Sequence, residues 1–295
     1  MNEQRTGPDR DDHSPHQERA EDALVEEGEE EEEADEQHLS NAFHRSLIIG
    51  EERLHRSWPN LIATGFLGGM DVGVGVLALM VVRDATGSEM LGALAFASGF
   101  IMLTLARSEL FTENFMMPMT VVITRPHEAP RLVRLWAGTV FSNWAGGALF
   151  IGLISLSLPH LDQVGIELGR FYPELGIGVQ SFASSMLGGV LITLMTWIDR
   201  GTQEMLAKIV VTIVTAFLLA APPLNHSVVG ALEMFAGLFT GESPYGWLDT
   251  AGAAGWAVLG NMVGGVGLVT VIRLIQVGAQ PIEEEREAAE QTDDG

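Results

Sequence analysis

The chain has 295 residues, no cysteine, 34 glycines and a formal net charge of −23. The absence of cysteine excludes disulfides and thiol chemistry, and no basic patch with interleaved aromatics points to a nucleic-acid partner. A hydrophobic fraction of 47% is ordinary for a soluble domain, so the class must be read from how the apolar residues are distributed.

Residues 1–40 carry much of the acid, including the run Glu29 to Glu33, and have few aliphatic side chains to bury. This segment reads as a disordered, solvated acidic tail. No basic stretch followed by an apolar run begins the chain, so no cleaved signal peptide is expected. Residues 41–275 form the candidate membrane domain, and residues 276–295 read as a second acidic tail resembling the first.

A helix needs roughly 20 mostly apolar residues to cross a bilayer. The apolar stretches predict six spans, at about 58–82, 89–123, 135–158, 174–198, 208–240 and 249–272. With the N-terminus in the cytoplasm, Arg45, Arg53, Arg56, Arg125, Arg131, Arg134, Arg200, Lys208 and Arg273 fall inside. Arg83 and Arg170 fall outside. This bias predicts that both termini are cytoplasmic.

Spans two and five are too long to be simple. A straight helix of 33–35 residues would measure about 50 Å, against a hydrocarbon core of about 30 Å. Span two contains the polar run Arg107 to Asn114, with Pro118 after it. Span five contains Pro222-Pro223-Leu224-Asn225-His226-Ser227, where proline removes a donor and restricts the residue before it. Both are predicted to break. The alternatives are a surface loop in span two and a simple proline kink in span five. A broken middle helix in each group of three predicts two inverted halves, and such interruptions point to a central pathway.

The ionisable residues inside the spans are Asp71, Arg107, Glu109, Glu113, His226 and Glu233. Such groups face a bundle interior or cavity. Arg107 is positioned to offset one of the nearby carboxylates, and these residues form either a structural ion-pair network or part of a pathway. His226, between Asn225 and Ser227, suits donation of a hydrogen bond or a proton to a small anion, with Thr112 adding a hydroxyl from the other break. A purely structural histidine is the alternative. The pairs Gly68-Gly69, Gly146-Gly147, Gly188-Gly189 and Gly264-Gly265 read as close helix packing. No metalloprotease or serine-hydrolase motif occurs, so neither enzymatic activity nor a metal or other cofactor is expected.

Three segments resemble motifs of the formate/nitrite transporter family. Ser108-Glu109-Leu110-Phe111-Thr112-Glu113-Asn114 resembles the loop of its broken second helix. Asn225-His226-Ser227 resembles the histidine signature of the fifth. Gly260-Asn261-Met262-Val263-Gly264-Gly265 resembles the sixth-helix motif. The resemblance covers roughly residues 40–275. It implies an all-α, aquaporin-like six-helix protomer in a homopentamer, in a prokaryotic inner membrane, passing a small anion or its protonated acid. It also implies pore roles for Thr112, His226, Asn225 and Asn261. Counting back without a gap from Thr112 and His226 places the two apolar constrictions at Phe96 and Leu219. In the family the residue before the histidine is often acidic and the second constriction is more usually phenylalanine. Transport is expected to be pH-dependent or proton-coupled through His226; a facilitator for neutral solutes or a protonated weak acid and a non-transporting scaffold with an acidic partner-binding tail are the competing readings.

Overall fold

A computed structural model describes Gln37 and residues 39–293, and the described residues are helical with turns between them. The predicted N-terminal acidic tail lies outside the described residues, save Gln37, Leu39 and Ser40. A first helix, α1 (39–54), precedes α2 (Trp58–Thr86) and α3 (Glu89–Ala106). A 3-10 turn (Phe111–Phe115) and α4 (Met117–Thr124) complete the predicted second span. Then come α5 (Ala129–Ser157), α6 (Asp162–Leu175), α7 (Val179–Gly201), α8 (Met205–Ala220) and α9 (Val229–Leu238). Last are α10 (Trp247–Met262), a π-helical stretch (Val263–Thr270), α11 (Val271–Val277) and α12 (Ala279–Asp293).

Five helical stretches are long and apolar enough to cross a membrane: α2, α3, Pro126–Ser157, α7 and Trp247–Val277. Helices α8 and α9 are each too short to do so alone and follow one another across a break. Both predicted interruptions are therefore present. The first runs from Arg107 to Met116 and the second from Ala221 to Val228. The loop predicted between spans three and four contains α6, which ends just before α7 begins. That shifts the start of the fourth span from 174 to Val179.

The helices approach closely where side chains are missing. A Cβ on Gly69 would lie 2.0 Å from the Asn143 carbonyl oxygen, and one on Gly189 would lie 2.2 Å from that of Asn261. Side chains at these positions would force α2 from α5 and α7 from α10, so the glycine pairs serve packing as the sequence suggests. The core between the helices is apolar and includes Val72, Val76, Phe96, Phe100, Leu103 and Leu219.

The C-terminal segment departs from the disordered reading. Its Glu, Ala, Arg and Gln residues are strong helix formers, and α12 lies against α4. Arg286 donates to the Ile123 carbonyl at 3.1 Å, and Arg125 bridges Glu285 at 2.6 Å and Glu51 of α1 at 3.1 Å. Charge density argued for disorder, but local propensity and an arginine on a neighbouring element favour a helix.

Candidate permeation site

Backbone that leaves the helical ladder inside a membrane needs other partners for its N–H and C=O groups. In the first break those partners come from Asn143 of α5. Its Nδ2 donates to the carbonyls of Gly65 (2.6 Å) and Glu109 (2.8 Å), and its Oδ1 accepts from the Phe111 N–H (2.9 Å). In the second break Asn261 does the same work. Its Nδ2 donates to Ser185 O (2.7 Å) and Asn225 O (3.2 Å), and its Oδ1 accepts from Ser227 N–H (2.8 Å). Each asparagine thus ties the third helix of a half to the first helix and to the break of the second. The sequence reading named Asn261 and missed Asn143. Its signal was present, because Asn143-Trp144-Ala145-Gly146-Gly147 repeats the spacing of Asn261-Met262-Val263-Gly264-Gly265.

Thr112 and His226, 114 residues apart, meet across the two breaks. Their side chains hydrogen-bond at 2.9 Å between Oγ1 and Nε2, and both residues are fully buried. The other ring nitrogen, Nδ1, accepts from the backbone N–H groups of Val228 (3.3 Å) and Val229 (3.2 Å), at the start of α9. A helix start leaves such N–H groups without partners in the helix, and the imidazole caps them. An acceptor nitrogen carries no hydrogen, so the network assigns the ring's N–H to Nε2. His226 then donates to Thr112, whose hydroxyl hydrogen is left for another acceptor.

Beside the histidine, Asn225 Oδ1 and Ser227 Oγ are buried without a hydrogen-bond partner. The Asn225 backbone N–H donates to Ser184 Oγ (3.0 Å), and Trp144 Nε1 donates to Ser227 O (2.9 Å). The carboxylates near Thr112 are compensated, but not by Arg107. Arg53, buried on α1, donates to Asn114 Oδ1 (2.8 Å) and pairs with Glu113 (3.4 Å) and Glu109 (3.9 Å). Arg56 pairs with Glu109 at 2.5 Å. Arg134 of α5 holds this connection by donating to the carbonyls of Leu54 and Arg56, and its guanidinium stacks over Trp58. Sequence reasoning counted Arg53 and Arg56 only as flanking charges, since nothing local shows that α1 folds back onto the break.

Arg107 is exposed; its backbone N–H donates to the Leu103 carbonyl, and its side chain has no hydrogen bond or ion pair among the described residues. Of the two remaining acids, Asp71 faces the Ser108 side chain, next to Glu109 in the chain, and Glu233 lies at the other break. Asp71, on α2, has a buried oxygen without a hydrogen-bond partner. Glu233, on α9, accepts from the Tyr172 hydroxyl at 2.5 Å.

Two cavities approach the buried pair from opposite sides. One, of about 420 Å³, lies on the side of α1 and is lined by Leu103, Arg107, Ser108, Glu113, Arg200 and Lys208 among others. The other, of about 250 Å³, lies beside α6 and includes Leu79, Arg83, Phe171, Pro223 and Glu233. Neither reaches Thr112 or His226. Phe96 and Leu219 are 0% and 1% exposed, in the same apolar cluster as Leu79 and Leu103.

The sequence model of the family described as formate/nitrite transporter matches residues 40–275. Inner membrane protein YfdC of Escherichia coli (strain K12) is 27% identical over 241 residues, covering 77% of this chain and 75% of its own. Formate channel BtFdhC of Bacillus thuringiensis is 24% identical over 248 residues, covering 77% and 93%. A pentameric formate channel with formate bound shares the fold with a TM-score of 0.60 at 18% identity, over 74% of this chain and 96% of that one. An FNT family ion channel gives 0.64 at 18% identity, over 81% and 97%. The apolar helices, the two braced interruptions and the match across residues 40–275 make this chain an integral membrane protein that belongs to the formate/nitrite transporter family.

Proposed function

We propose that the protein is a channel for small monovalent anions such as formate or nitrite, with the permeant passing the Thr112–His226 pair. The observation that carries this reading is the polarity of the pair. Nδ1 is committed to capping α9 and Nε2–H donates to Thr112, which leaves the Thr112 hydroxyl hydrogen as the free donor, and Nε2–H for a permeant that displaces this bond, in an apolar surround. A bare anion entering that surround loses its hydration at large cost, and donors already in place offset part of it. His226 acts as a hydrogen-bond donor. Proton donation would require a second hydrogen on Nδ1, facing two backbone N–H groups. Phe96 and Leu219 are the apolar constrictions on either side, Asn225 borders the pair, and Asn261 holds the break rather than the permeant.

The relatives named as formate channels support the cargo, and the pentameric neighbour supports assembly as a homopentamer. The inner-membrane relative supports residence in a prokaryotic cell membrane, and the Lys/Arg bias supports cytoplasmic termini.

One observation favours a second reading, passage of the protonated weak acid. The cavity beside α6 is lined by Glu89, Glu167, Glu174 and Glu233 against Arg83 and Arg170, a balance that repels anions. A pH series separates the two, because flux of the neutral acid tracks its protonated fraction and falls tenfold per pH unit above the acid's pKa.

Formate and nitrite flux into proteoliposomes tests the proposal. Thr112→Val keeps the shape and removes the hydroxyl, and a lost hydrogen bond to a charged group, about 1.5–3 kcal/mol, slows flux roughly ten- to a hundredfold. His226→Asn shortens the donor and is expected to fall in the same direction. Wild-type flux in both variants would refute the role of the pair.

A further inference from the structure

The backbone at Arg107 is out of the ordinary. It ends α3 in the left-handed conformation, with φ 56° and ψ 32°, and is the non-glycine residue with positive φ among the described residues. Glycine is the usual occupant of such a position because a Cβ is strained there. An arginine held in a disfavoured conformation beside a functional site is grounds for asking what its side chain does.

Its surroundings supply an answer. Arg107 lines the 420 Å³ cavity that approaches Thr112 from the side of α1. Each of the other cations around this cavity has a carboxylate within 4 Å. Arg53 pairs with Glu113, and Arg56 with Glu109 and Glu52. Asp199 takes both Arg200 (3.4 Å) and Lys208 (3.3 Å). The lining cations Arg53, Arg56, Arg107, Arg200 and Lys208 face the acids Glu52, Glu113 and Asp199, with buried Glu109 behind them. Five positive charges against four leave a net charge of one, and Arg107 is the lining cation with no carboxylate within 4 Å among the described residues.

The geometry points to Arg107 as the anion-collecting residue of this cavity, a site for a small monovalent anion at the mouth of the pathway. It is five residues before Thr112, on the break itself, so an anion drawn to its guanidinium stands at the entrance to the buried donors. A residue five positions along the same chain fixes that spacing, whereas a cation on a separate element would not. The inference rests on the anion-channel reading and names the group that concentrates the cargo on one side.

A unit charge about 7 Å from the anion, at an effective dielectric between about 40 and 80, raises the local anion concentration roughly three- to eightfold. Three variants separate charge from backbone. Arg107→Gln removes the charge, Arg107→Gly removes the charge and relieves the backbone, and Arg107→Lys keeps the charge. In proteoliposomes at low ionic strength and sub-saturating formate, the Gln and Gly variants are expected to lose three- to eightfold of the flux. They should converge on wild type at saturating formate, and the Lys variant should keep at least half the flux. Raising the ionic strength should erase the wild-type advantage, since screening shortens from about 30 Å at 0.01 M to about 3 Å at 1 M. Wild-type flux and salt dependence in the Gly variant would overturn the assignment and leave Arg107 as a helix terminus alone.

A second readout does not depend on transport. Formate, with gluconate holding the ionic strength constant, should raise the melting temperature of purified wild type and the Lys variant at three- to eightfold lower concentration than that of the Gln and Gly variants. If wild type passes no anion, the channel reading fails while this measurement still decides the site. Equal shifts in all four proteins, or none in any, would refute it.

Discussion

Replacing Asn143 by alanine isolates what holds the first break in place. The side chain satisfies three backbone groups, but they are not equivalent. Gly65 O belongs to α2 and keeps its helical partner, whereas Glu109 O and Phe111 N–H lie in the interrupted segment and depend on the amide. Two buried groups are therefore orphaned, at about 1–3 kcal/mol each. Hydrogen bonds measured inside membranes sit at the low end, near 0.6 kcal/mol on average, because the unfolded chain in lipid finds substitute partners. A net loss of about 2 kcal/mol follows, roughly a thirtyfold change in the folding equilibrium. Asn261→Ala orphans Asn225 O and Ser227 N–H in the same way and should cost about the same. Thermal melting of the detergent-solubilised protein, followed by size-exclusion fluorescence, reads the loss, and flux through surviving folded protein is measured in parallel. A brace lowers stability in both variants. If Asn261→Ala melted like wild type while losing flux, the asparagine would instead belong to the pathway surface. Wild-type melting and flux in both variants would refute the bracing argument.

Two further perturbations test the packing and the charge network. Gly69→Ala and Gly189→Ala set a methyl against a backbone carbonyl at 2.0 and 2.2 Å, so both should lower the yield of folded protein. Gly255→Ala, with open space around it, should not, and expression with size-exclusion profiles checks the contrast. Arg53→Met leaves Glu113 buried without its nearest cation and should cost about 3 kcal/mol, most of it recovered when Glu113→Gln is added. Melting of the single and double variants decides, and equal melting of the two would remove the ion pair from the account.

Apolar run lengths, Pro222-Pro223 and the polar stretch from Arg107 to Asn114 determined the membrane class and both interruptions. These are local properties, since a proline removes its own donor and a charge inside a span is costly whichever helix is opposite. The bundle arrangement was legible for a related reason: glycine pairs at matching positions mark where helices touch. The competing readings of the breaks, a surface loop and a proline kink, fail because residues 108–116 and 224–228 are buried and each break is braced by an asparagine.

Which residue meets which was decided only by the tertiary structure. Thr112 and His226 are 114 positions apart, and no spacing rule connects them. Glu109 and Glu113 are compensated by α1, not by the adjacent Arg107, because α1 folds back onto the break and brings Arg53 and Arg56 within 4 Å of them. Sequence proximity suggested the wrong partner there. An ion pair depends on where two side chains end, which sequence spacing does not show. The amide of Asn143 was equally invisible as a brace, since its value lies in three backbone groups from elements 32 to 78 residues away. The sequence by itself determined where the backbone must leave the helix. The tertiary structure decided which side chains satisfy it there, because buried polar groups take whichever partner close packing brings within 3 Å.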